Sequence, residues 1–574
     1  MSDSSEYVVG LNHGEINSSA AILRDGLVIA GSPEERFNRQ KRTKAFPTAA
    51  VEFCLEQAGV SLRDCAAVAQ AWNPAALWHK FNPLISGARI RREDYFYSVP
   101  DNLLQLAGRR ESEWVCLNSD VEELPPVYYV LHHRTHAANA FYLSPFEEAA
   151  ILTCDHRGEY ECTTWGKGTD AKIETFARQT LPDSLGLFYA AYTQLLGYRY
   201  DSDEWKVMAL SAFDVDARRE IEAIRSTLRV SDEGGLELDQ SYYPGSLVEA
   251  PKLYSRRLIE LLGGREGMAG EEADDWHRRI AVAMQTVAEE IAVKMLTALW
   301  DRTRCPNVTL GGGFFMNSVF NGKLLDATPF RDLYISYAPA DVGNSIGAGL
   351  YVTHMILGKK RYFQDAPSAI GPEFSDDDIE RTLIRRKISY STPDNMAGKV
   401  AELLADGEIV SVFNAKMEFG ERALGNRSIL ADARRNEMKD KINSAIKYRE
   451  SYRPFAPAIL EERVREYFDV PQGFTCRYME KVVPIKPERR SEIAAVSHVD
   501  GSGRVQTVSE KENSFFYDVI ESFGARTGTP VVLNTSFNVN GEPIACSPDD
   551  ALTTFFNSGL EYLALGRYLV SKAP

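Results

Sequence analysis

Two histidines one helical turn apart are the residues of this sequence with the clearest potential for chemistry. His132 and His136 lie four positions apart in the segment HHRTHAANA, so a helix would place both imidazoles on one face. Two imidazoles on one face can share a metal ion. The same spacing is also typical of ordinary core or surface histidines, and the sequence lacks the HExxH order of a zinc protease.

Two aspartates in other parts of the chain favour a metal site. Asp155 ends an apolar, strand-like segment, and Asp341 precedes the segment VGNSIG. With His132 and His136 they form a set of nitrogen and oxygen ligands that suits a borderline divalent metal such as iron, zinc or manganese. We expect coordination positions left open by the protein to bind and polarise a substrate oxygen.

Arginines and lysines in the C-terminal half are interleaved with glycine and proline. Arg422 lies in the segment KMEFGERALGNRS, where glycines let backbone amides and guanidinium groups approach an anion closely. Lys447, Arg449 and Arg453 follow, ahead of a stiff turn that contains proline. The spacing predicts a phosphate pocket. Two solvated basic faces are the alternative, which the glycines and prolines disfavour.

Two further polar segments are less specific. The segment NTSFN, which contains Asn534 and Ser536, follows an apolar run and offers amide and hydroxyl groups that could bond a phosphate. By itself it could also be only a tight turn. Lys41 lies in the charge run EERFNRQK, which is typical of a solvated surface.

Strand-like runs separated by turn signals must position these groups. The runs occur as two similar three-stranded meanders, each followed by helical patterning, which predicts a duplicated βββαβα unit. The predicted strands cover residues 7–13, 19–23 and 27–30, and then 148–155, 161–165 and 172–176. This arrangement resembles the actin-like, ribonuclease H-like ATPase fold, in which two polar turns hold nucleotide phosphates and a glycine-rich turn holds adenosine. Gly311, Gly312 and Gly313, followed by Asn317, are the candidate for that turn.

Turn-rich sequence near residues 358–372 predicts a domain boundary, so we expect domains at 1–365 and 366–574. The stretch 274–304 has the apolar spacing of one buried helical face. After the boundary, predicted helices at 376–387 and 397–405 and a strand at 408–413 indicate a second α/β domain.

Composition restricts the class of protein. A chain of 574 residues is too long for one hydrophobic core, and a net charge of −16 argues against nucleic-acid binding. The eight scattered cysteines contain no CxxC pair, which favours reduced thiols. No apolar run approaches the ~20 residues of a membrane span and no signal peptide is evident. We therefore expect a cytoplasmic protein with no membrane partner.

Motifs spread along nearly the whole chain resemble the O-carbamoyltransferase family. That family includes the tobramycin, cephalosporin and ansamycin carbamoyltransferases and the nodulation-factor carbamoyltransferase. The motifs are HHxxHAxxA at 132–140, GGGxxxNxxxNGKL at 311–324, GxRALGxRSIL at 420–430, RPFAP at 453–457 and LNTSFNxxGEPI at 533–544. The resemblance implies an actin-like domain followed by a YrdC-like α/β domain.

The resemblance also implies a two-step reaction. Carbamoyl phosphate would bind in the C-terminal domain, with Lys41 reaching over from the N-terminal domain, and would react with ATP and Mg²⁺ to give carbamoyl adenylate. The implied carbamoyl-phosphate residues are Lys41, Arg422, Lys447, Arg449, Arg453, Asn534 and Ser536. The implied catalytic residues are His132, Lys41, Arg422 and Arg449.

The second step would occur in the N-terminal domain. The adenylate would lie near the three glycines at 311–313, Asn317, Asn321 and Lys206. Iron would be held by His132, His136, Asp155 and Asp341, and the product would be an O-carbamate ester.

The acceptor is expected to be a hydroxyl of a macrolide, ansamycin, aminoglycoside or other sugar, as in antibiotic biosynthesis, and the enzyme a monomer or homodimer. Ile16 and Trp205 depart from the family pattern beside the acceptor cleft. A small-molecule kinase or ATPase with only the actin-like fold is one alternative, and it leaves the C-terminal arginines unexplained. A binding protein related to tRNA modification is the other.

Overall fold

The computed structural model describes residues 5–14, 17–76, 92, 94–107, 124–246, 252–362, 367–448, 450, 452–453 and 455–572. The chain forms two compact units. Unit 1 consists of Met1–Glu34 and Thr43–Ala366, and unit 2 consists of Glu35–Arg42 and Pro367–Pro574.

The short segment Glu35–Arg42 belongs to unit 2, although its position in the sequence suggested the N-terminal domain. Arg36 donates a hydrogen bond to the Gly420 carbonyl oxygen at 3.1 Å. Arg39 donates to the carbonyl oxygens of Ile544 and Pro543 at 2.7 and 2.8 Å. These bonds explain why Lys41 lies with the C-terminal residues rather than with the N-terminal ones.

Unit 1 contains two five-stranded mixed sheets with the same topology. The first has the order β3-β2-β1-β4-β5 and the second β12-β11-β6-β7-β8, each an antiparallel meander extended by two parallel strands. The repetition confirms the predicted duplication of the meander. The strands are β1 Tyr7–Asn12, β2 Ser19–Arg24, β3 Leu27–Pro33, β4 Cys65–Gln70, β5 Val127–Tyr129, β6 Glu148–Cys154, β7 Glu161–Thr169, β8 Lys172–Thr180, β9 Leu228–Val230, β10 Leu236–Leu238, β11 Asn307–Gly311 and β12 Asp332–Ile335.

Helices pack around these sheets. The longest begins after Asp274, whose side chain accepts hydrogen bonds from the backbone N–H groups of Trp276 and His277, and its buried apolar face confirms the prediction for residues 274–304. The helices of unit 1 are Thr48–Ala58, Tyr95–Leu106, His132–Tyr142, Leu185–Leu195, Glu204–Leu210, Arg218–Arg225, Arg256–Leu261, Asp275–Thr303, Ser318–Ala327 and Asn344–Tyr351.

Two helices of unit 1 pack closely because small residues line their contact. A Cβ atom at Gly347, in the helix Asn344–Tyr351, would lie 2.0 Å from the carbonyl oxygen of Thr135 in the helix His132–Tyr142. Any side chain there would force the two helices apart. This contact brings the start of one helix beside the start of the other.

Unit 2 is built on a seven-stranded mixed sheet in the order β18-β15-β19-β14-β13-β20-β21. Neighbouring residues of a strand face opposite layers: Val412 and Val532 belong to one apolar cluster, and Phe413 and Leu533 to the other. The strands are β13 Val410–Phe413, β14 Arg427–Asp432, β15 Ala456–Leu460, β16 Val482–Pro484, β17 Ser502–Arg504, β18 Gln506–Val508, β19 Val531–Ser536, β20 Tyr562–Leu565 and β21 Tyr568–Ser571.

Helices cover both faces of this sheet, so the predicted α/β class is confirmed for both units. The helices of unit 2 are Glu35–Asn38, Asp376–Arg385, Met396–Asp406, Met438–Ile442, Val464–Tyr467, Ser514–Thr527 and Pro548–Phe556. The seven cysteines in the described ranges are buried, and none of them is paired with another. None of the helices in the described ranges combines the length and the apolar composition that a bilayer-spanning helix needs.

Candidate functional site

The helix His132–Tyr142, here called the histidine helix, carries the two predicted imidazoles on its first turns. His132 and His136 are buried, and their Nε2 atoms lie 3.0 Å apart, so the prediction that they share one face is confirmed. The buried Glu159 carboxylate accepts the backbone N–H of His132 at 3.0 Å. A carboxylate at a helix N-terminus satisfies a free N–H group and complements the helix dipole.

The structure brings both predicted aspartates to these histidines. Asp155 directly follows β6, and its Oδ2 lies 2.8 Å from Nε2 of His136 and 3.3 Å from Nε2 of His132. Oδ1 of Asp341 lies 3.4 and 3.5 Å from the same two nitrogens. The four side chains, here called the ligand cluster, offer ligand atoms that all lie within 4.8 Å of one another.

Within the ligand cluster, burial and the neighbouring charged groups shift the pKa values of His136 and Asp155 in opposite directions. Burial alone would lower the pKa of His136, but hydrogen bonds with the two carboxylates outweigh it and raise that pKa to about 9. Burial also favours the neutral form of Asp155, yet its bonds to the histidines bring its pKa well below the usual range. Burial and the nearby Asp155 raise the pKa of Asp341. Two carboxylates held this close favour the arrival of a cation.

The donor set fits a divalent metal. Two imidazole nitrogens and two carboxylate oxygens converge on one point, and this mixture suits zinc, manganese or ferrous iron. Among the described residues, the Nδ1 atoms of His132 and His136 have no hydrogen-bond partner. The two imidazole rings therefore make their polar contacts through Nε2. The ligand cluster is therefore a candidate metal site.

The predicted glycine turn lies against the ligand cluster. A Cβ atom at Gly311 would lie 2.7 Å from the carbonyl oxygen of His136, and one at Gly313 would lie 3.0 Å from Oδ1 of Asp155. Gly312 has φ of +104°, a conformation that other residues rarely adopt. Glycine at these positions allows the turn between β11 and the following helix to approach the cluster.

The other residues predicted to bind nucleotide make structural contacts. Asn317 and Gln285 exchange two hydrogen bonds of 3.1 and 3.0 Å between their amides, and Asn321 donates to a backbone carbonyl at 2.7 Å. Lys206 lies 3.4 Å from Asp203. The role of these side chains in nucleotide binding stays a prediction.

Cations gather in unit 2. Burial lowers the pKa of Arg422, with Glu421 opposing the shift, and among the described residues its guanidinium has neither a hydrogen bond nor an ion pair. The Lys41 side chain is exposed overall, but partial burial of its ammonium group lowers its pKa. The charge of Glu35 opposes this shift of the pKa, and the charges of Arg36, Arg453 and Arg42 add to the shift. Such an arrangement attracts an anion.

Lys447 and Ser536, both predicted to bind carbamoyl phosphate, contact each other. Lys447 is buried and donates to the carbonyl oxygen of Ser536 at 2.5 Å, to its hydroxyl at 3.2 Å, and to Oδ1 of Asn538 at 2.9 Å. Asn534 donates to the carbonyl oxygen of Ala423, which joins its strand to the Arg422 loop. Arg453 lies 3.7 Å from Glu450. Arg449 lies outside the described residues.

Buried charges hold the Arg422 loop in place. Oε1 of Glu418 accepts the backbone N–H groups of Leu424 and Asn426 at 2.7 and 2.8 Å. Arg427 is fully buried, donates to four backbone carbonyl oxygens, and stacks on Phe413 at 3.6 Å. These contacts position the loop, and they explain why its sequence contains charges that do not reach solvent.

Sequence reasoning missed Glu159, Glu418 and Asn344. The signal for Asn344 was its position three residues after Asp341, which lies in the short turn Asp341–Gly343 that leads into the helix Asn344–Tyr351. Glu159 and Glu418 act on backbone N–H groups, and no spacing rule identifies such partners.

The sequence matches two family models. Residues 8–350 match the model described as Carbamoyltransferase N-terminus, and residues 401–572 match Carbamoyltransferase C-terminus.

An uncharacterized protein of Synechocystis is 32% identical over 606 residues, which cover 99% of this chain and 97% of that protein. Nodulation protein NolNO of Sinorhizobium fredii is 35% identical, over 97% of this chain and 79% of that protein. Full-length HypF in its phosphate- and nucleotide-bound form has 13% identity and a TM-score of 0.31, over 62% of this chain and 56% of that chain. The two family models cover most of the sequence, and the chain belongs to the carbamoyltransferase family and is a carbamoyltransferase enzyme.

Proposed function

We propose that this carbamoyltransferase makes carbamoyl adenylate from carbamoyl phosphate and ATP, and then transfers the carbamoyl group to a hydroxyl. The observation that supports the proposal is a pair of side-chain clusters with different chemistry, one in each unit. A cation-rich site suits the activation step in unit 2, and the ligand cluster suits the transfer step in unit 1. The repeated sheet topology of unit 1 supports an actin-like fold, and we propose a YrdC-like fold for unit 2.

Activation brings several anions together, which cations must offset. Water and carbamoyl phosphate would give carbamate and phosphate; a carbamate oxygen would then bond to the α-phosphorus of ATP, and pyrophosphate would leave. Guanidinium and ammonium groups lower the energy of these anionic states. The residues proposed for this work are Lys41, Arg422, Lys447, Arg449, Arg453, Asn534 and Ser536.

Transfer breaks the bond between the carbamoyl carbon and the adenylate oxygen. The acceptor oxygen would bond to that carbon, its proton would leave, and AMP would be released. We propose that the glycine turn, Asn317, Asn321 and Lys206 hold the adenylate, with Mg²⁺ accompanying ATP. A divalent ion held by the ligand cluster, ferrous iron in our proposal, would supply positive charge that stabilises a reacting oxygen.

The acceptor in this proposal is a hydroxyl of a macrolide, ansamycin, aminoglycoside or other sugar, as in the biosynthesis of antibiotics. Fold alone does not identify it. The family membership and the metal-ligand chemistry support transfer to oxygen, and a panel of hydroxylated acceptors would identify the compound.

Separate measurement of the two half-reactions tests the proposed division of labour. Combined His132→Ala and His136→Ala should remove metal binding and carbamoyl transfer, while AMP formation that depends on carbamoyl phosphate is less affected. Arg422→Gln should instead lower that AMP formation by about 10- to 100-fold, because it removes a charged hydrogen-bond donor.

Matched variants separate these effects from unfolding. His133→Asn changes the neighbouring histidine, whose Nδ1 lies 2.7 Å from the Thr153 hydroxyl, and should keep metal binding. Arg463→Gln removes an arginine that pairs with Glu466 at 2.7 Å and should keep AMP formation. Equal loss of both half-reactions in the histidine variant, or full AMP formation in Arg422→Gln, would refute the assignment.

A further inference from the structure

A buried amide stands beside the ligand cluster. Asn344 is the first residue of the helix Asn344–Tyr351 and is fully buried. Its Nδ2 lies 3.2 Å from Nε2 of His136. Its Oδ1 is buried and has no hydrogen-bond partner among the described residues. A buried amide oxygen that lacks a donor costs free energy, so its persistence here needs an explanation.

The spacing of this amide matches the spacing of the cluster. Two ligands that each lie about 2.1 Å from one ion are about 3.0 Å apart at a right angle and about 3.4 Å apart at a tetrahedral angle. The Nε2 atoms of His132 and His136 lie 2.8 to 3.5 Å from each other and from the two carboxylate oxygens, and the Asn344 amide at 3.2 Å from His136 falls within that range. The amide therefore lies at the distance from His136 that a further ligand of the same ion would have.

The contact of the Asn344 Nδ2 atom with Nε2 of His136 is unfavourable once a metal lies on His136. A protonated Nε2 of His136 donates to the Asp155 carboxylate at 2.8 Å, and a metal on Nε2 would occupy its one lone pair. In neither state can Nε2 accept a hydrogen bond from Nδ2. The nitrogen and oxygen of an amide are nearly the same size, so a half-turn of the carboxamide exchanges them without repacking. That half-turn directs the unpartnered Oδ1 at the ligand cluster.

We infer that Asn344 is a fifth protein ligand of this metal centre and binds through Oδ1. The inference rests on the metal site of the proposed function. Amide and carboxylate oxygens suit manganese and ferrous iron, whereas zinc in structural sites is satisfied by four ligands. A fifth protein ligand biases the site toward ions of higher coordination number and leaves fewer positions for solvent.

Two substitutions separate an oxygen ligand from a hydrogen-bond donor. Asn344→Asp keeps an oxygen at the same position but removes the N–H donor, and Asn344→Leu fills the space with no polar atom. The full-length chain, freed of metal by a chelator, would be titrated with Mn²⁺ alone in a calorimeter. Ser345→Ala is the matched control, because Ser345 bonds to Ser19 at 2.9 Å rather than to the cluster.

We expect Asn344→Leu to weaken Mn²⁺ binding at least about 10-fold, while Asn344→Asp binds at least as tightly as the native chain. Unchanged affinity in Asn344→Leu, or weakened affinity in a folded Asn344→Asp, would overturn the inference. If circular dichroism shows that Asn344→Leu is unfolded, the aspartate variant decides alone. A native chain that binds no Mn²⁺, Fe²⁺ or Zn²⁺ would overturn the metal site itself, which distinguishes that failure from a failure of Asn344.

Discussion

Single residues of the candidate metal centre differ in how readily sequence reveals them. His132 and His136 could be named because their spacing matches a helical turn, and Asp155 because it ends a strand. Glu159 could not, since it acts on the backbone N–H of a residue 27 positions away. Asn344 needed the packing of two helices, which sequence does not show.

At the residue scale, the raised pKa of the Glu204 carboxyl predicts how the stability of the protein depends on pH. Burial raises its pKa from 4.5 to about 7, although the backbone N–H of Asp201 donates to its Oε1 at 2.6 Å. Between these two pKa values the folded state retains a proton that the unfolded chain has released. The free energy of unfolding should therefore fall as the pH rises from about 4.5 to 7.

Glu204→Gln removes this dependence and can keep the hydrogen bond. We expect it to stabilise the protein at pH 8 by about 1–2 kcal/mol, a value reduced for partial exposure, and to have no such advantage at pH 4.5. Calorimetric melting temperatures at the two pH values provide the measurement. The exposed Glu237→Gln is the control, and equal pH slopes in Glu204→Gln and the native chain would contradict the prediction.

At the scale of elements, a charged side chain forms hydrogen bonds with the backbone groups at each end of the histidine helix. Glu159 accepts an N–H at its start, and Arg361 donates to the carbonyl oxygens of Phe141 and Ser144 at its end, both at 2.8 Å. The signs of both charges complement the helix dipole. The cluster at the first turns is therefore held on an element that is fixed at both ends.

Arg361→Met should destabilise unit 1 by about 1–3 kcal/mol, because it removes the charged donor to the carbonyl oxygens of Phe141 and Ser144. Mn²⁺ affinity should change less than about 3-fold, since the ligands lie at the opposite end of the helix. Calorimetry gives both values. Arg302→Met removes an exposed arginine that lies 4.1 Å from the Phe176 ring and should have little effect. A large loss of metal affinity with unchanged stability would contradict this role for Arg361.

Most strands and helices could be predicted because turn residues mark their ends. The meander at 148–176, the glycine turn after β11 and the helix that follows residue 274 all lie where the pattern indicated. The placement of Glu35–Arg42 with unit 2 could not be predicted, because it depends on arginines that bond to carbonyl oxygens about 380 to 505 positions away.

At the scale of the whole molecule, the two units carry clusters of opposite charge. Its net charge is −16, yet unit 2 gathers Lys41, Arg36, Arg42 and Arg453 around one position. Cations held this close together attract an anionic ligand, which would add to the partial compensation by Glu35. Unit 1 has the opposite arrangement, because the two neighbouring carboxylates of the ligand cluster attract a cation. The two sites thus suit the two half-reactions of a carbamoyl transfer through an adenylate.

The most direct test is nucleotide release by purified, metal-loaded protein that is given ATP and Mg²⁺ with no acceptor. AMP and pyrophosphate would be measured with and without carbamoyl phosphate. We predict that both products appear only when carbamoyl phosphate is present, in equal amounts. Release of ADP, which a kinase or ATPase would give, or release of AMP that does not depend on carbamoyl phosphate, would contradict the carbamoyl-adenylate mechanism.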